Sequence, residues 1–291
     1  MKETKPGPER VGKVLREIGS RLQTAGVDRP QLESELILSQ ALSIPAAQLY
    51  LEPERILENS IRAQIESWTQ ERLTRKPLAY IIGKAWFREI ELEINPAVLI
   101  PRPETELLVE QALRIIQSET AVKTILDLAT GSGAIILSLA RELEKSNPDL
   151  QFFASDISGR ALSLARKNAQ RLRLGDRIQF RAGDWFQPFP GQKFHLIVCN
   201  PPYISEEELP GLMPEVSRYE PKLALNGGKQ GLELIQKVLA EAPDHLDRPG
   251  RLVLEIGMGQ AEKLPEIKTS LKLQKLVKDF AGIDRIAIFR L

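Results

Sequence analysis

A single cysteine, Cys199, has no partner for an intrachain disulfide, which fits a reducing compartment. The two histidines, His195 and His245, have no metal-ligand neighbours in sequence, so no metal site is expected and both read as structural or solvent-facing. Lys and Arg total 40 against 39 Asp and Glu, so the chain lacks the global positive field that drives binding to nucleic acid or anionic membrane; residues 166–177 hold only a local basic patch. No apolar run approaches the ~20 residues of a membrane span. The first ten residues are charged and proline-bearing with no apolar stretch behind them, so no secretory signal is expected. What remains is a cytoplasmic globular protein, and 291 residues suffice for one large domain plus a small one.

Between Val11 and Lys76 apolar residues recur at helical spacing: Val11, Leu15, Ile18 and Leu22, then Leu32, Leu36 and Leu38, then Ile61, Ile65 and Trp68. This predicts a small helical bundle. It carries no His, Cys or carboxylate cluster, so packing or partner docking is its expected task. Residues 87–94 alternate Ile90, Leu92 and Ile94 against Glu89, Glu91 and Glu93, predicting a half-exposed strand in a linking hairpin. Residues 99–106 then open an amphipathic helix, with Pro103 in its first turn and acidic residues at its N-terminus. After Lys123 strands (124–128, 151–155, 178–182, 194–199, 251–256) alternate with helices, which predicts a parallel sheet covered by helices; residues 273–280 and 284–291 close it as a hairpin. The expected domains are 1–78 (helical), 79–102 (hairpin linker) and 103–291 (α/β).

The first sheet strand ends in Asp127-Leu128-Ala129-Thr130-Gly131-Ser132-Gly133-Ala134. Ligands bind at such strand ends, where glycines let the backbone approach. A dinucleotide fingerprint needs a third glycine at position 136, which is Ile136, so NAD is disfavoured. Asp127 is expected to point into the cleft and to suit an ammonium. The second strand ends at Asp156, placed to accept both hydroxyls of a ribose. The third ends at Gly183-Asp184-Trp185, a carboxylate for an exocyclic amine and a ring to flank adenine. Ribose, adenine and an amino-acid head group add up to S-adenosylmethionine. Taken alone, Asp156 reads equally as an N-cap for the helix at Ser158, and Trp185 as plain core; their order on successive strand ends favours the cofactor.

A further strand stops at Asn200-Pro201-Pro202-Tyr203-Ile204. Proline has no N–H and a fixed φ, so this is a rigid corner whose carbonyls can point outward. Asn200 adds a side-chain acceptor and Tyr203 a flat apolar face, together suiting a planar group that carries an NH2. If Asn200 faces the cofactor, Cys199 points to the other side and is inert.

On these runs the sequence resembles the HemK/PrmC family, the glutamine methyltransferases of peptide-chain release factors. The resemblance is carried by residues 99–106, 127–134, Gly183-Asp184-Trp185-Phe186, Asn200 to Ile204, Glu220-Pro221 with Ala224-Leu225 and Gly227-Gly228, and Ala281-Gly282-Ile283-Asp284-Arg285. It covers the chain from about Tyr80 onward. The Asn-Pro-Pro-Tyr run alone is shared with adenine-modifying nucleic-acid methyltransferases; residues 102–106 and 183–186 narrow the match. The resemblance implies an α/β fold: a seven-stranded Rossmann-like class I methyltransferase sheet with a small N-terminal helical bundle that binds substrate. It implies cofactor contacts at Ala129, Thr130, Gly131, Ser132, Gly133, Asp156, Trp185 and Asn200. It further implies methyl transfer to the glutamine of the Gly-Gly-Gln motif of class I release factors, with no nucleic-acid substrate. Asn200 Oδ1 and the Pro201 carbonyl are then the expected acceptors for the glutamine NH2, within a substrate corner completed by Pro202 and Tyr203. Ala129 departs from the family pattern, which has glycine there, and Lys229-Gln230 replaces a more usual acidic pair. Two alternatives stand beside this reading: an adenine N6 methyltransferase acting on a flipped base of DNA or RNA, and a non-catalytic cofactor-binding protein.

Overall fold

The computed structural model describes residues 9–119 and 121–291; most of the stretch read for a leader, residues 1–8, lies outside them. The first elements are α1 (Val11–Thr24), α2 (Pro30–Leu42), α3 (Ala46–Leu51), α4 (Asn59–Leu73), α5 (Leu78–Ile82), β1 (Lys84–Phe87) and β2 (Ile90–Glu93). There follow α6 (Thr105–Ser118), β3 (Thr124–Leu128), α7 (Ala134–Glu142), β4 (Gln151–Asp156), α8 (Gly159–Arg171), β5 (Ile178–Ala182) and β6 (Phe194–Cys199). The last are α9 (Pro214–Tyr219), α10 (Glu233–His245), β7 (Leu246–Glu255), β8 (Lys272–Lys278) and β9 (Asp284–Arg290). Two compact units result: one runs to Gly83 and takes in Pro214–Tyr219, the other spans Lys84–Met213 and Glu220–Leu291.

The helical unit buries the predicted stripe, Leu15, Ile18 and Leu22 of α1, with Ile37, Leu38 and Ile65. Each such side chain contributes about 1.5–3 kcal/mol when fully buried. A polar knot lies beside this core. Arg72, 2% exposed, donates to Glu33 and to Glu215 of α9, and Arg75 grips Glu215 through both carboxylate oxygens at 2.6 and 2.7 Å. The Thr74 and Tyr219 hydroxyls meet at 2.9 Å. The unit is therefore discontinuous in sequence, and no local pattern announces the part from 214 to 219.

In the other unit, the strand expected over 87–94 is divided: Phe87 ends β1 and residues 90–93 form β2 of the hairpin. β1 and β2 pair antiparallel with Phe87 opposite Ile90, around a turn at Arg88 with φ 49°. Phe87 and Ile90 are both buried, and residues three apart cannot share a face of one strand, so the chain turns between them. Asn168 of α8, 1% exposed, fastens this hairpin: it accepts from Glu93 N–H at 2.8 Å and donates to the carbonyls of Glu93 and Ser132 at 3.0 and 3.1 Å.

The main sheet has seven strands in the order β5-β4-β3-β6-β7-β9-β8, with β9 running opposite to the other six. Apart from β7, which starts at Leu246 and not at 251, strand ends match the predicted ones within two residues. One face packs Leu126, Leu128, Ile197, Leu252 and Leu254 against Ile235, Val238 and Leu239 of α10. The β3–β4 connection leaves β3 on one side and β6 lies on the other, so the strand order reverses at β3 and a crevice opens beyond its carboxyl end. Among the described residues, no helix is long and apolar enough to cross a membrane.

Candidate active site

A cavity of about 310 Å³ occupies that crevice, and Thr130, Gly131, Ser132, Asp156, Trp185 and Asn200 line it. The turn after β3 is anchored by Thr130 N–H to the Ser155 carbonyl (3.0 Å) and by Gly131 N–H to Asp156 Oδ2 (2.8 Å). Gly131 has φ +56° and a Cβ built there would meet nothing within 4 Å, so bare backbone faces the open cavity. Asp156 Oδ1 accepts Ser158 N–H at 2.8 Å, while the Ser158 hydroxyl itself caps α8. The Asp156 carboxyl is pushed up by burial against the pull of these two N–H groups. Each of its oxygens keeps a lone pair for a further donor.

Ala129, the departure from the family pattern, sits at φ +55°. Left-handed backbone costs alanine about 1–2 kcal/mol, and the extra unfolded-state entropy of glycine offsets about 0.5–1 kcal/mol. Ala129→Gly is therefore expected to leave cofactor affinity intact and to be neutral to mildly stabilising. Calorimetric titration and thermal unfolding check this; a large loss of affinity contradicts it.

Asp127 and Asp184 sit differently from their sequence reading, and Trp185 combines two readings. Asp127 does not line the cavity. Alternation turns Leu126 and Leu128 toward α10 and Asp127 to the other face, so its carboxylate lies behind the loop, fully buried, holding the Thr130 hydroxyl at 2.6 Å. Burial pushes it up to about 7, with the Thr130 hydrogen bond opposing and the nearby Asp156 charge adding. Asp184 does line the cavity, but its carboxylate pairs with Lys237 of α10 and is already neutralised. Trp185 unites its two readings: it lines the cavity and belongs to the core at 8% exposure.

Asn200 is the first residue beyond β6 and lines the cavity with Pro202; Pro201 and Tyr203 do not. Asn200 Nδ2 donates to Thr105 Oγ1 at 3.1 Å, leaving Oδ1 without a hydrogen bond, and the Pro201 and Pro202 carbonyls take none among the described residues. The Tyr203 carbonyl, by contrast, is taken by Gln260 Nε2 at 2.9 Å. Ile204 and Gly227 exchange hydrogen bonds with their neighbours across the corner, and a Cβ on Gly227 would lie 2.7 Å from Tyr203 Cα and 2.9 Å from the Pro202 oxygen. Only glycine leaves room there for the corner's backbone. The Tyr203 hydroxyl donates to Glu255 Oε1 at 3.2 Å, and burial together with that carboxylate drives the phenol far above its usual range.

Glu255 and Thr105 were missed from sequence. Glu255, 1% exposed, ends β7 inside the apolar run Leu252-Val253-Leu254-Glu255-Ile256, and a carboxylate in such a run was the available signal. Cys199 is wholly buried in the core, with its thiol pushed well up by burial. His195 meets the Thr124 hydroxyl at 2.8 Å and His245 stacks on Phe186 at 4.5 Å, so both brace the sheet unit.

Residues 13–83 match the PrmC N-terminal domain model and residues 119–279 a methyltransferase domain model. The release factor glutamine methyltransferase of Thermodesulfovibrio yellowstonii is 40% identical, covering 89% of this chain and 91% of that protein. That of Geobacter sulfurreducens is 37% identical over 97% of both, and that of Vibrio cholerae 39% over 94% of both. The chain belongs to the release factor glutamine methyltransferase family. In fold, the solved hMettl16 catalytic domain superposes with a TM-score of 0.52 at 14% identity, covering 81% of this chain and 84% of that one. The protein is a class I methyltransferase and its cofactor is S-adenosylmethionine. The cavity fits that group: bare backbone at Gly131, spare acceptor capacity at Asp156 and an aromatic wall at Trp185.

Proposed function

We propose that this chain methylates the side-chain amide nitrogen of the glutamine in the Gly-Gly-Gln motif of class I peptide-chain release factors, in the cytoplasm. The observation that carries this reading is the corner at Asn200, where a side-chain oxygen and adjacent proline carbonyls stand without donors next to the cofactor cavity. The resident cofactor supplies an electrophilic sulfonium methyl group. An amide lone pair is delocalised and weakly nucleophilic, so positioning must do most of the work. Asn200 Oδ1 and the Pro201 carbonyl each accept one N–H of the substrate amide, which aims its lone pair and offsets the positive charge that grows on nitrogen during transfer. Tyr203, tethered through its hydroxyl to Glu255, offers its ring to the amide plane. Held at Gly131, Asp156 and Trp185, the cofactor would supply the methyl group and keep the departing sulfur, and the methylated nitrogen would then shed a proton, so no base is needed beforehand.

We assign release-factor recognition to the helical unit, in keeping with the match of residues 13–83 to the PrmC N-terminal domain. Mass spectrometry of a release factor incubated with this protein and S-adenosylmethionine is expected to find one added methyl on the Gly-Gly-Gln glutamine. Methyl transfer to nucleic acid with none to the release factor overturns the reading.

A further inference from the structure

We propose that Met258 and Phe280 form an apolar ledge beside the Asn200 corner on which the protein substrate rests, gripping the release factor through apolar side chains that flank its Gly-Gly-Gln motif. The ledge deepens the reading of the corner as a glutamine site and rests on it. Residues 281–285, which carry part of the family resemblance, line no part of the cofactor cavity. They shape this ledge.

The chemistry of the motif calls for such a surface. Two glycines carry no side chain and the glutamine amide is held by the corner, so the motif itself offers little else to grip. Affinity for a whole protein then has to come from anchors farther out. Asn200 stands just beyond the carboxyl end of β6, so a protein that inserts its glutamine there lies over that edge of the sheet.

The same edge carries two exposed apolar side chains on fixed loops. Cys199 of β6 lies opposite Leu254 of β7, and Glu255 of β7 opposite Ile286 of β9. The loop after β7 and the β8–β9 tip therefore adjoin each other next to the corner, within about 15 Å of Asn200 at a strand spacing of ~4.8 Å. The first loop presents Met258, 74% exposed. Gln260 fastens it to the corner: Oε1 accepts Gly257 N–H at 2.7 Å, and Nε2 donates to the carbonyls of Tyr203 and Gly231 at 2.9 Å each. Gly257 sits so close that a Cβ on it would lie 3.1 Å from the Tyr203 ring. The tip presents Phe280, fully exposed. Asp279 closes the tip, accepting the N–H groups of Ala281 and Ile283 at 2.9 and 3.0 Å through Oδ1 and Arg285 Nε at 2.9 Å through Oδ2. Arg285 joins the two loops, because its carbonyl takes Ile256 N–H at 2.8 Å.

Single exposed apolar residues are ordinary. An aromatic ring and a methionine on adjoining, clamped loops beside a substrate corner are a different matter: these residue types are enriched at protein interfaces, and loops already fixed lose little freedom on docking. Lys278 and Arg285 are each paired with a carboxylate, Asp284 and Asp279, so neither is free for a phosphate backbone. The ledge suits a protein and not a nucleic acid.

The test uses the full chain, S-adenosylmethionine and an intact release factor. Phe280→Ser is expected to raise KM for the release factor about tenfold and Met258→Ser about fivefold, with kcat within about twofold of wild type. Calorimetric affinity for S-adenosylmethionine and the thermal midpoint stay at wild-type values, since both side chains are exposed and outside the cavity. Phe280→Leu keeps an apolar anchor and recovers most of the KM. Leu273→Ser, at an exposed apolar position of β8 toward the opposite edge, leaves KM unchanged. Wild-type KM in both serine variants of the ledge overturns the ledge alone, as does an equal rise in Leu273→Ser or a fall in kcat with KM unchanged. Absence of methyl transfer from the wild-type protein to the release factor, or transfer to nucleic acid in its place, overturns the glutamine reading and the ledge with it.

Discussion

Asn200→Ala is expected to lower kcat for methyl transfer by roughly 10²–10³, the scale of losing one preorganised transition-state hydrogen bond. The side chain stands at the carboxyl end of β6, its Nδ2 committed to Thr105 and its Oδ1 open. Alanine removes the acceptor and with it the aim of the substrate nitrogen. The proline carbonyls remain, because their direction is held by backbone that Gly227 and Gln260 brace and not by the Asn200 side chain. Residual activity above background is therefore expected. Single-turnover transfer to a release factor, followed by mass spectrometry, measures the loss; turnover within a few-fold of wild type sinks the role.

Removing Arg102 has the second large effect, this time on stability. Arg102 Nη2 bridges both oxygens of Glu220 at 2.7 and 2.8 Å, and the Glu220 side chain is only 1% exposed. Breaking such a pair from one side leaves a buried charge, which costs about 3–5 kcal/mol. Even with Arg102 present, burial holds the Glu220 carboxyl above its ordinary value. In Arg102→Met it rises further, so the folded state keeps a proton that the unfolded chain has released. A folded pKa raised above the unfolded one makes stability fall as pH climbs between the two. The variant should accordingly lie near wild type in mild acid, below the unfolded carboxylate value of about 4.3, and lose most at pH 8. Urea unfolding at both pH values checks this; a deficit independent of pH contradicts it.

The parts of the site that sequence disclosed are those where chemistry and local geometry coincide. The glycine turn after β3, Asp156 after β4, Trp185 after β5 and Asn200 after β6 each follow a short apolar strand, and the switch point then gathers them around one cavity. Asp127 failed because rank in sequence does not say which face a strand residue takes; its leucine neighbours claimed the α10 side. The ion pair of Asp184 could not be read from sequence, because Lys237 arrives from a helix more than fifty positions later. The hairpin was expected, but its strand was started three residues early for a period-2 reason: Glu89, Glu91 and Glu93 alternate well, while buried Phe87 is out of phase with buried Ile90 and belongs to the partner strand. Glu255 was visible as an odd carboxylate in an apolar run, yet its meaning depends on the Tyr203 hydroxyl, which only the fold brings to it.

The excursion of Pro214–Tyr219 bears on how the protein can be cut. The polypeptide passes between the units at three junctions, after Gly83, after Met213 and after Tyr219. Deleting everything up to Gly83 does not yield the catalytic unit as a clean piece, because it strips Glu215 of Arg72 and Arg75 and leaves a six-residue helix with nothing to fold upon. A protease nick at the first junction cuts the only covalent link to residues 9–83, which then stay on 214–219 through noncovalent contacts such as the grip of Arg72 and Arg75 on Glu215. An isolated helical module for binding studies has to carry residues 214–219 back, on a linker, to the end of residues 9–83.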